Sequence, residues 1–168
     1  MKGVFAGSFD PPTKGHEEII ARCATLFDQV VVMISHNPNK QGLFDVEQRK
    51  AWLEAIVAPW SNVEVVICQG LTVQKARALH GDVLIRSLRN ESDFGMEANN
   101  AWINAHLEGG LETFFLMADP AYTWISSSNV RELLRYHQSV EHLVPKVVYD
   151  DLQGIKASKN TLSLDKNG

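Results

Sequence analysis

The 168-residue sequence predicts an α/β fold built on a doubly wound, five-stranded parallel sheet. Three observations carry that prediction. Short apolar runs alternate with stretches of helical periodicity along most of the chain, the pattern of parallel strands joined by right-handed crossovers. The clearest run, Gln-Val-Val-Val-Met-Ile-Ser at 29–35, is apolar nearly throughout rather than alternating, as strands covered on both faces are. The first apolar run passes through a Pro-rich turn straight into an amphipathic helix, which makes it the opening half of such a crossover.

In chain order, Gly3 to Ala6 reads as a short buried strand bounded by glycine, and Gly7 to His16 as a strand-to-helix turn. Glu17 to Phe27 follows as a helix with Ile19, Ile20, Cys23, Ala24 and Phe27 on one stripe. Gln29 to Ser35 is the second strand, and His36 to Phe44 a polar loop holding Pro38, Lys40 and Gly42. Asp45 with Gln48 three residues on suggests a variant capping box for a helix to about Ala58. Pro59 to Asn62 turns the chain into a third strand, Val63 to Ile67. Leu71 to Leu79 is a short helix, Val83 to Arg86 a fourth strand, and Asn90 or Ser92 opens a long helix to His106 with Gly95 as its weak point. Gly109 and Gly110 lead into the fifth strand, Thr113 to Met117. Ser127 to Tyr136 and Lys146 to Leu152 are helical, the second opened by Pro145. Residues 1–155 are expected to form one domain, and the polar, aperiodic stretch 156–168 a disordered tail.

A 45% apolar content at this length supports a substantial single core. No run reaches 18 apolar residues, so no membrane span is expected, and the N-terminal pattern is not that of a signal peptide. The two cysteines, Cys23 and Cys68, lack metal or disulfide spacing and read as buried apolar groups in a reducing, cytoplasmic setting. A net charge of −4 speaks against a nucleic-acid partner, and any phosphate ligand must be held by a few specific cations.

In doubly wound sheets ligands bind beyond the carboxyl ends of the strands. The residues there suit phosphate. The turn Gly7 to His16 offers free N–H groups at a helix start, with His16 able to donate a hydrogen bond to a phosphoryl oxygen. Lys40 lies in the loop after the second strand. Arg86 and Arg89 end the fourth, where their guanidinium forks fit phosphate, or pair with Glu91 and Asp93. Ser126, Ser127 and Ser128 precede the last sheet-associated helix, as caps or as part of a triphosphate seat, with Arg131 one turn in.

Gly-Ser-Phe-Asp-Pro followed by Thr-Lys-Gly-His at 7–16 resembles the signature of the nucleotidyltransferases with a T/H-x-G-H motif. Within them, Lys40 with Gly42-Leu43-Phe44, Arg86-Ser87-Leu88-Arg89 with Asp93-Phe94 and Glu97, Ile125 to Ser128, and His142 to Pro145 resemble the phosphopantetheine adenylyltransferases from about residue 3 to 152. The resemblance implies a Rossmann-like nucleotidyltransferase fold, transfer of AMP from ATP onto 4′-phosphopantetheine, Mg²⁺ held mainly by ATP phosphates, and a homohexamer built as a dimer of trimers. It assigns Ser8, Lys40, Thr72 and Arg86 to phosphopantetheine. To ATP it assigns Ser8, Phe9, His16, Ser87, Leu88, Arg89, Glu97, Tyr122, Thr123, Trp124, Ile125, Ser126, Ser127 and Ser128. His16 is the catalytic residue, and no residue is assigned to a metal. Ser87, Gly95, Met96 and Asn100 depart from the family's usual residues, all in the expected pocket walls. A phosphate nucleophile ionised at neutral pH needs no general base, which fits a chain without a Ser-His-Asp or Cys-His set. Two other readings are a nicotinate-mononucleotide adenylyltransferase and a non-catalytic nucleotide-binding regulator.

Overall fold

In the computed structural model residues 1–36, 42–107 and 109–164 are described, the side chains only to residue 155. The element order is β1 (Lys2–Gly7), α1 (Lys14–Leu26), β2 (Gln29–His36), α2 (Val46–Val57), β3 (Val63–Gln69), α3 (Thr72–Ala78), β4 (Val83–Leu88), α4 (Glu91–His106), β5 (Glu112–Met117), α5 (Ser127–Arg135) and α6 (Lys146–Leu164). The five strands form one parallel sheet in the order β3-β2-β1-β4-β5. The chain winds outward from β1 in one direction and then, from β4, in the other. The strand order therefore reverses between β1 and β4, where the crossovers leave to opposite sides and open a crevice.

The pleat explains the continuous apolar runs. Phe5, Val30, Val32, Ile34 and Ile85 face one layer, where Ile19 and Ile20 of α1, Trp52 and Leu53 of α2, Val130 of α5 and Val148 of α6 cover them. Val4, Ala6, Val31, Met33 and Leu84 face the other, against Val73 and Ala76 of α3. Both sets are buried, so alternation of side-chain direction leaves no polar face to read. Each fully buried aliphatic side chain contributes about 1.5–3 kcal/mol. The covering is uneven: α4 has no buried residue. Phe94, Met96, Trp102 and Ile103 of α4, with Phe114 and Met117 of β5, stay exposed.

Three local expectations need correction. α1 begins at Lys14 rather than Glu17, because Thr13 is its N-cap and His16 completes a capping box. Asp45 does cap α2, through Glu47 N at 2.9 Å, but Gln48 takes no part. Its amide reaches Asp151 instead, which also accepts from the Trp52 indole and ties α2 to α6. Helix α6 continues to Leu164, through most of the stretch expected to be an irregular tail. That stretch carries no proline, and extending a helix is far less costly than starting one. Residues 165–168 lie outside the described residues.

Candidate functional site

A cavity of about 250 Å³ opens at the carboxyl ends of β1 and β4, the point where strand order reverses. Ala6 and Gly7 of β1, the start of α1, Arg86, Ser87 and Arg89, the inner side of α4 and the start of α5 line it. The N-termini of α1 and α5 both abut it, so the positive ends of two helix dipoles border one space, although Lys14 N, His16 N and Asn129 N already have partners.

His16 is fixed by the capping box. Thr13 N donates to its Nδ1 at 3.0 Å, and His16 N donates to Thr13 Oγ1 at 3.4 Å. A ring nitrogen that accepts from a backbone N–H carries no proton, so the neutral ring bears its hydrogen on Nε2. Phe9 packs against the imidazole edge-on, 4.9 Å between ring centroids, with Phe5 beyond it. Burial, reinforced by the Arg89 charge, pulls the imidazole down to about 4. At neutral pH His16 is thus an uncharged hydrogen-bond donor.

Arg86 of β4 and Arg89 just beyond its end are each already partnered. Arg86 forms a fork with Glu97 of α4, Nε to Oε2 at 2.7 Å and Nη2 to Oε1 at 2.6 Å, and gives Nη1 to Ala6 O at 2.7 Å. Arg89 forms a second fork with Asp93, Nε to Oδ2 at 2.9 Å and Nη2 to Oδ1 at 3.1 Å, while its backbone N donates to the same carboxylate. Hydrogen bonding from Arg89 holds the Asp93 carboxyl below the usual carboxylate range. Of the acids the sequence offered as partners, Asp93 is used and Glu97 takes the place of Glu91. The forks fix the guanidinium planes, and both keep an open face to the cavity, with side chains 34% and 38% exposed.

The start of α5 is pinned to the turn after β1. Ser126 caps the helix through Asn129 N, Ser127 Oγ donates to Pro11 O at 2.8 Å, and Arg131 donates to Asp10 O at 2.6 Å and to Ser128 Oγ. The serine run therefore holds structure while still edging the cavity.

Of the residues singled out in the sequence, His16, Arg86, Ser87, Arg89, Glu97, Tyr122, Ile125, Ser126 and Ser127 meet in this cavity. Thr72 does not. It lies in a neighbouring cavity of about 280 Å³ with Leu71, Asn100, Ile103 and Asn104, and Arg86 lines both. Ser8 is exposed at the turn but does not line the β1–β4 cavity. Phe9 and Leu88, 1% and 5% exposed, belong to the core, so neither side chain can meet a ligand. Trp124 stacks on His142 over a third, mostly apolar recess, Thr123 caps its own turn through Pro120 O, and Ser128 is held by Arg131. Lys40 lies outside the described residues. Among these, no group of three His, Cys, Asp or Glu side chains is placed to hold a metal ion. No helix among them is long and apolar enough to cross a membrane.

Two buried charges escaped the sequence reading. Asp10 is 6% exposed and Arg49 4%, each hydrogen-bonded to backbone beside the site. Arg49 did leave a signal: it shares the apolar stripe of α2 with Trp52, Leu53 and Ile56, where a cation is out of place.

The sequence model of the cytidylyltransferase-like family matches residues 4–133. A phosphopantetheine adenylyltransferase of Levilactobacillus brevis is 43% identical over 86% of this chain and 90% of its own length. Proteins of the same name from Streptococcus sanguinis and Gloeothece citriformis are 42% and 45% identical, covering 94% and 90% of this chain and 97% of their own length in each case. A solved structure from Vibrio parahaemolyticus, provisionally named a nicotinate-nucleotide adenylyltransferase, superposes with a TM-score of 0.65 over 91% of each chain at 17% identity. That likeness concerns the fold.

Proposed function

Because the chain belongs to the cytidylyltransferase-like family and, within it, to the phosphopantetheine adenylyltransferases, we propose that the β1–β4 cavity moves AMP from ATP onto 4′-phosphopantetheine, yielding dephospho-coenzyme A and pyrophosphate. The chain is a nucleotidyltransferase of coenzyme A biosynthesis. The observation that carries the chemical reading is His16: capped on Nδ1 and uncharged, it has only Nε2–H to offer a ligand, in the cavity that Arg89 also lines.

The acceptor phosphate has a second pKa of about 6, so at neutral pH it attacks the α-phosphorus of ATP without a base. What remains is alignment of the attacking oxygen with the departing pyrophosphate and stabilisation of charge on the phosphoryl group in flight. Nε2–H of His16 donates to a non-bridging α-oxygen. A neutral donor suits this role because its N–H is far too weak an acid to protonate the nucleophile. Arg89 and the N-termini of α1 and α5 hold the remaining ATP phosphates, with Ser126 and Ser127 at the rim and Tyr122 and Ile125 toward the base. Ser87 and Leu88 contribute main chain. Arg86, between the two cavities, orients the acceptor phosphate, with Thr72 in the adjoining cavity, and Ser8 and Lys40 from their loops.

The site itself is a poor cage for Mg²⁺, since the two carboxylates lining it, Asp93 and Glu97, are each engaged by an arginine. The ion would therefore arrive on the ATP phosphates and offset their charge there. The apolar residues that α4 and β5 leave exposed support self-association, for which the family resemblance gives a homohexamer, and a monomer in native mass spectrometry at micromolar concentration would refute it. The buried thiols, with Cys23 pushed up to about 12 by burial, are consistent with a cytoplasmic enzyme.

The test is a substrate panel. With ATP and Mg²⁺, pyrophosphate should appear only when 4′-phosphopantetheine is added; turnover of nicotinate mononucleotide in its place would overturn the substrate and leave the fold standing.

A further inference from the structure

We propose that Asp10 and Arg49 are positioning residues: two buried charges that brace the turn after β1 against the connection entering α2, and so set where the acceptor phosphate is held. The proposal rests on the reading above and adds a part to it.

Asp10 sends its carboxylate across to that connection. One oxygen accepts from Leu43 N at 2.8 Å and the other from Phe44 N at 2.9 Å. No cation lies within ion-pair distance of it among the described residues. A carboxylate buried on these terms depends on its N–H donors, and the donors are held in place by the carboxylate. Gly42 shows how tight the fit is: a Cβ there would stand 3.1 Å from Asp10 Oδ2 and 3.2 Å from Phe44 O.

Arg49 makes the return connection. From α2 it donates Nη1 to Ser8 O at 2.8 Å, and it too has no carboxylate partner among the described residues. Buried arginines ordinarily pair with acids; this one is committed to main chain at the site. Between the two anchored residues sits Phe9, whose φ of 47° is left-handed, a conformation that a bulky residue keeps only where its surroundings impose it. Arg49 on Ser8 O and Arg131 on Asp10 O supply that constraint from both sides.

The consequence falls unequally on the two substrates. The braced turn carries Ser8, and the braced connection follows Lys40 in sequence, the two loop residues that the reading above gives to the acceptor. Of the ATP-side groups, Arg89 follows β4, the start of α1 is held by Leu143 O on Lys14 N, and α5 is tied to the turn through the main-chain oxygens of Asp10 and Pro11, which survive loss of the side chain. His16 is held by Thr13 independently.

The experiment is steady-state kinetics with each substrate varied, on Asp10→Asn, Arg49→Gln and Gly42→Ala. Asp151→Asn serves as control, because it loosens α2 from α6 at Gln48 and Trp52 while leaving the hydrogen bonds of Asp10 and Arg49 in place. Asp10→Asn and Arg49→Gln should lower kcat/KM for phosphopantetheine by about tenfold or more and move KM for ATP by no more than about twofold. Gly42→Ala, which crowds the same carboxylate with every charge intact, should give the same asymmetry and stands in if Asp10→Asn does not fold. Asp151→Asn should lower the Tm without that asymmetry. Equal losses for both substrates, or losses matching the control, would overturn the brace. A wild-type protein that does not use phosphopantetheine at all would instead overturn the functional reading on which the brace rests.

Discussion

Acidification tests the assignment of His16 as a neutral donor. Its imidazole sits at about 4 because burial disfavours the cation and Arg89 repels it. At pH 5 such a group is about 10% protonated, whereas one at the ordinary value near 6.5 would be about 97% protonated. Protonation would also place a hydrogen on Nδ1 and break the bond from Thr13 N that closes the capping box. The folded-state value lies below the unfolded one, so folding favours the neutral ring. Its contribution to stability is present above pH 6.5 and lost as the pH falls from there to about 4, at most about 3 kcal/mol in all. The assay is long-range proton–nitrogen correlation NMR on the ligand-free protein between pH 4 and 8, with His16→Asn to assign the signal. It should show the Nε2–H tautomer at pH 7 and a midpoint well under 5. A midpoint at 6 or above, or the Nδ1–H tautomer at neutral pH, would refute the argument. Turnover is the wrong readout here, since the acceptor phosphate titrates near pH 6 and would lower the rate by itself.

Three substitutions probe the rest of the cavity. His16→Ala should lower kcat about a hundredfold, the usual size for losing one donor to a developing oxyanion, with ATP affinity little changed by calorimetry; a near-normal kcat would leave His16 a capping residue only. Arg89→Ala should raise KM for ATP first, and an unchanged value would exclude it from the triphosphate seat. Arg86→Ala should impair both substrates, because it leaves Glu97, 16% exposed, as an unpaired carboxylate facing the phosphates. Adding Glu97→Ala should then restore the use of ATP but not of phosphopantetheine, and a double variant no better than the single one would show that Glu97 does not act by charge.

The fold was legible because its central strands, β1, β2 and β4, are buried on both faces along most of their length. Gln29 to Ser35 could scarcely be anything but an inner strand, and β2 does lie between β1 and β3. The site was legible where one short segment holds its members together: the strand-to-helix turn with His16, and the four residues 86–89. What failed depended on partners distant in sequence. Gln48 looked like a cap residue until Asp151, 103 residues on, claimed its amide. Phe9 reads as a ligand contact because it stands inside the motif, yet its side chain fills the core beneath His16, which leaves only its main chain to meet a ligand. Asp10 lay in plain view within the same string, but nothing local says that a carboxylate there will bind backbone more than thirty residues away.

The charges explain how an acidic chain can seat a triphosphate. Four cations were read from the sequence as the phosphate-binding set, but Arg86 and Arg89 are each neutralised by an acid of α4. Paired in this way, they add little long-range attraction and much geometric definition, since a guanidinium locked in a fork presents its remaining N–H groups in one plane. Attraction must then come from groups that carry no balancing acid among the described residues: Arg131, which donates to Asp10 O and Ser128 Oγ, and the N-termini of α1 and α5, whose partial charges are fixed by the backbone, with Lys40 and a nucleotide-borne Mg²⁺ added under the proposed function. Such a site gains little from a free anion in solution and most from one that fits the planes already set. A net charge of −4 is therefore no obstacle, because selection among phosphates is made by the shape of the donors rather than by the field around them.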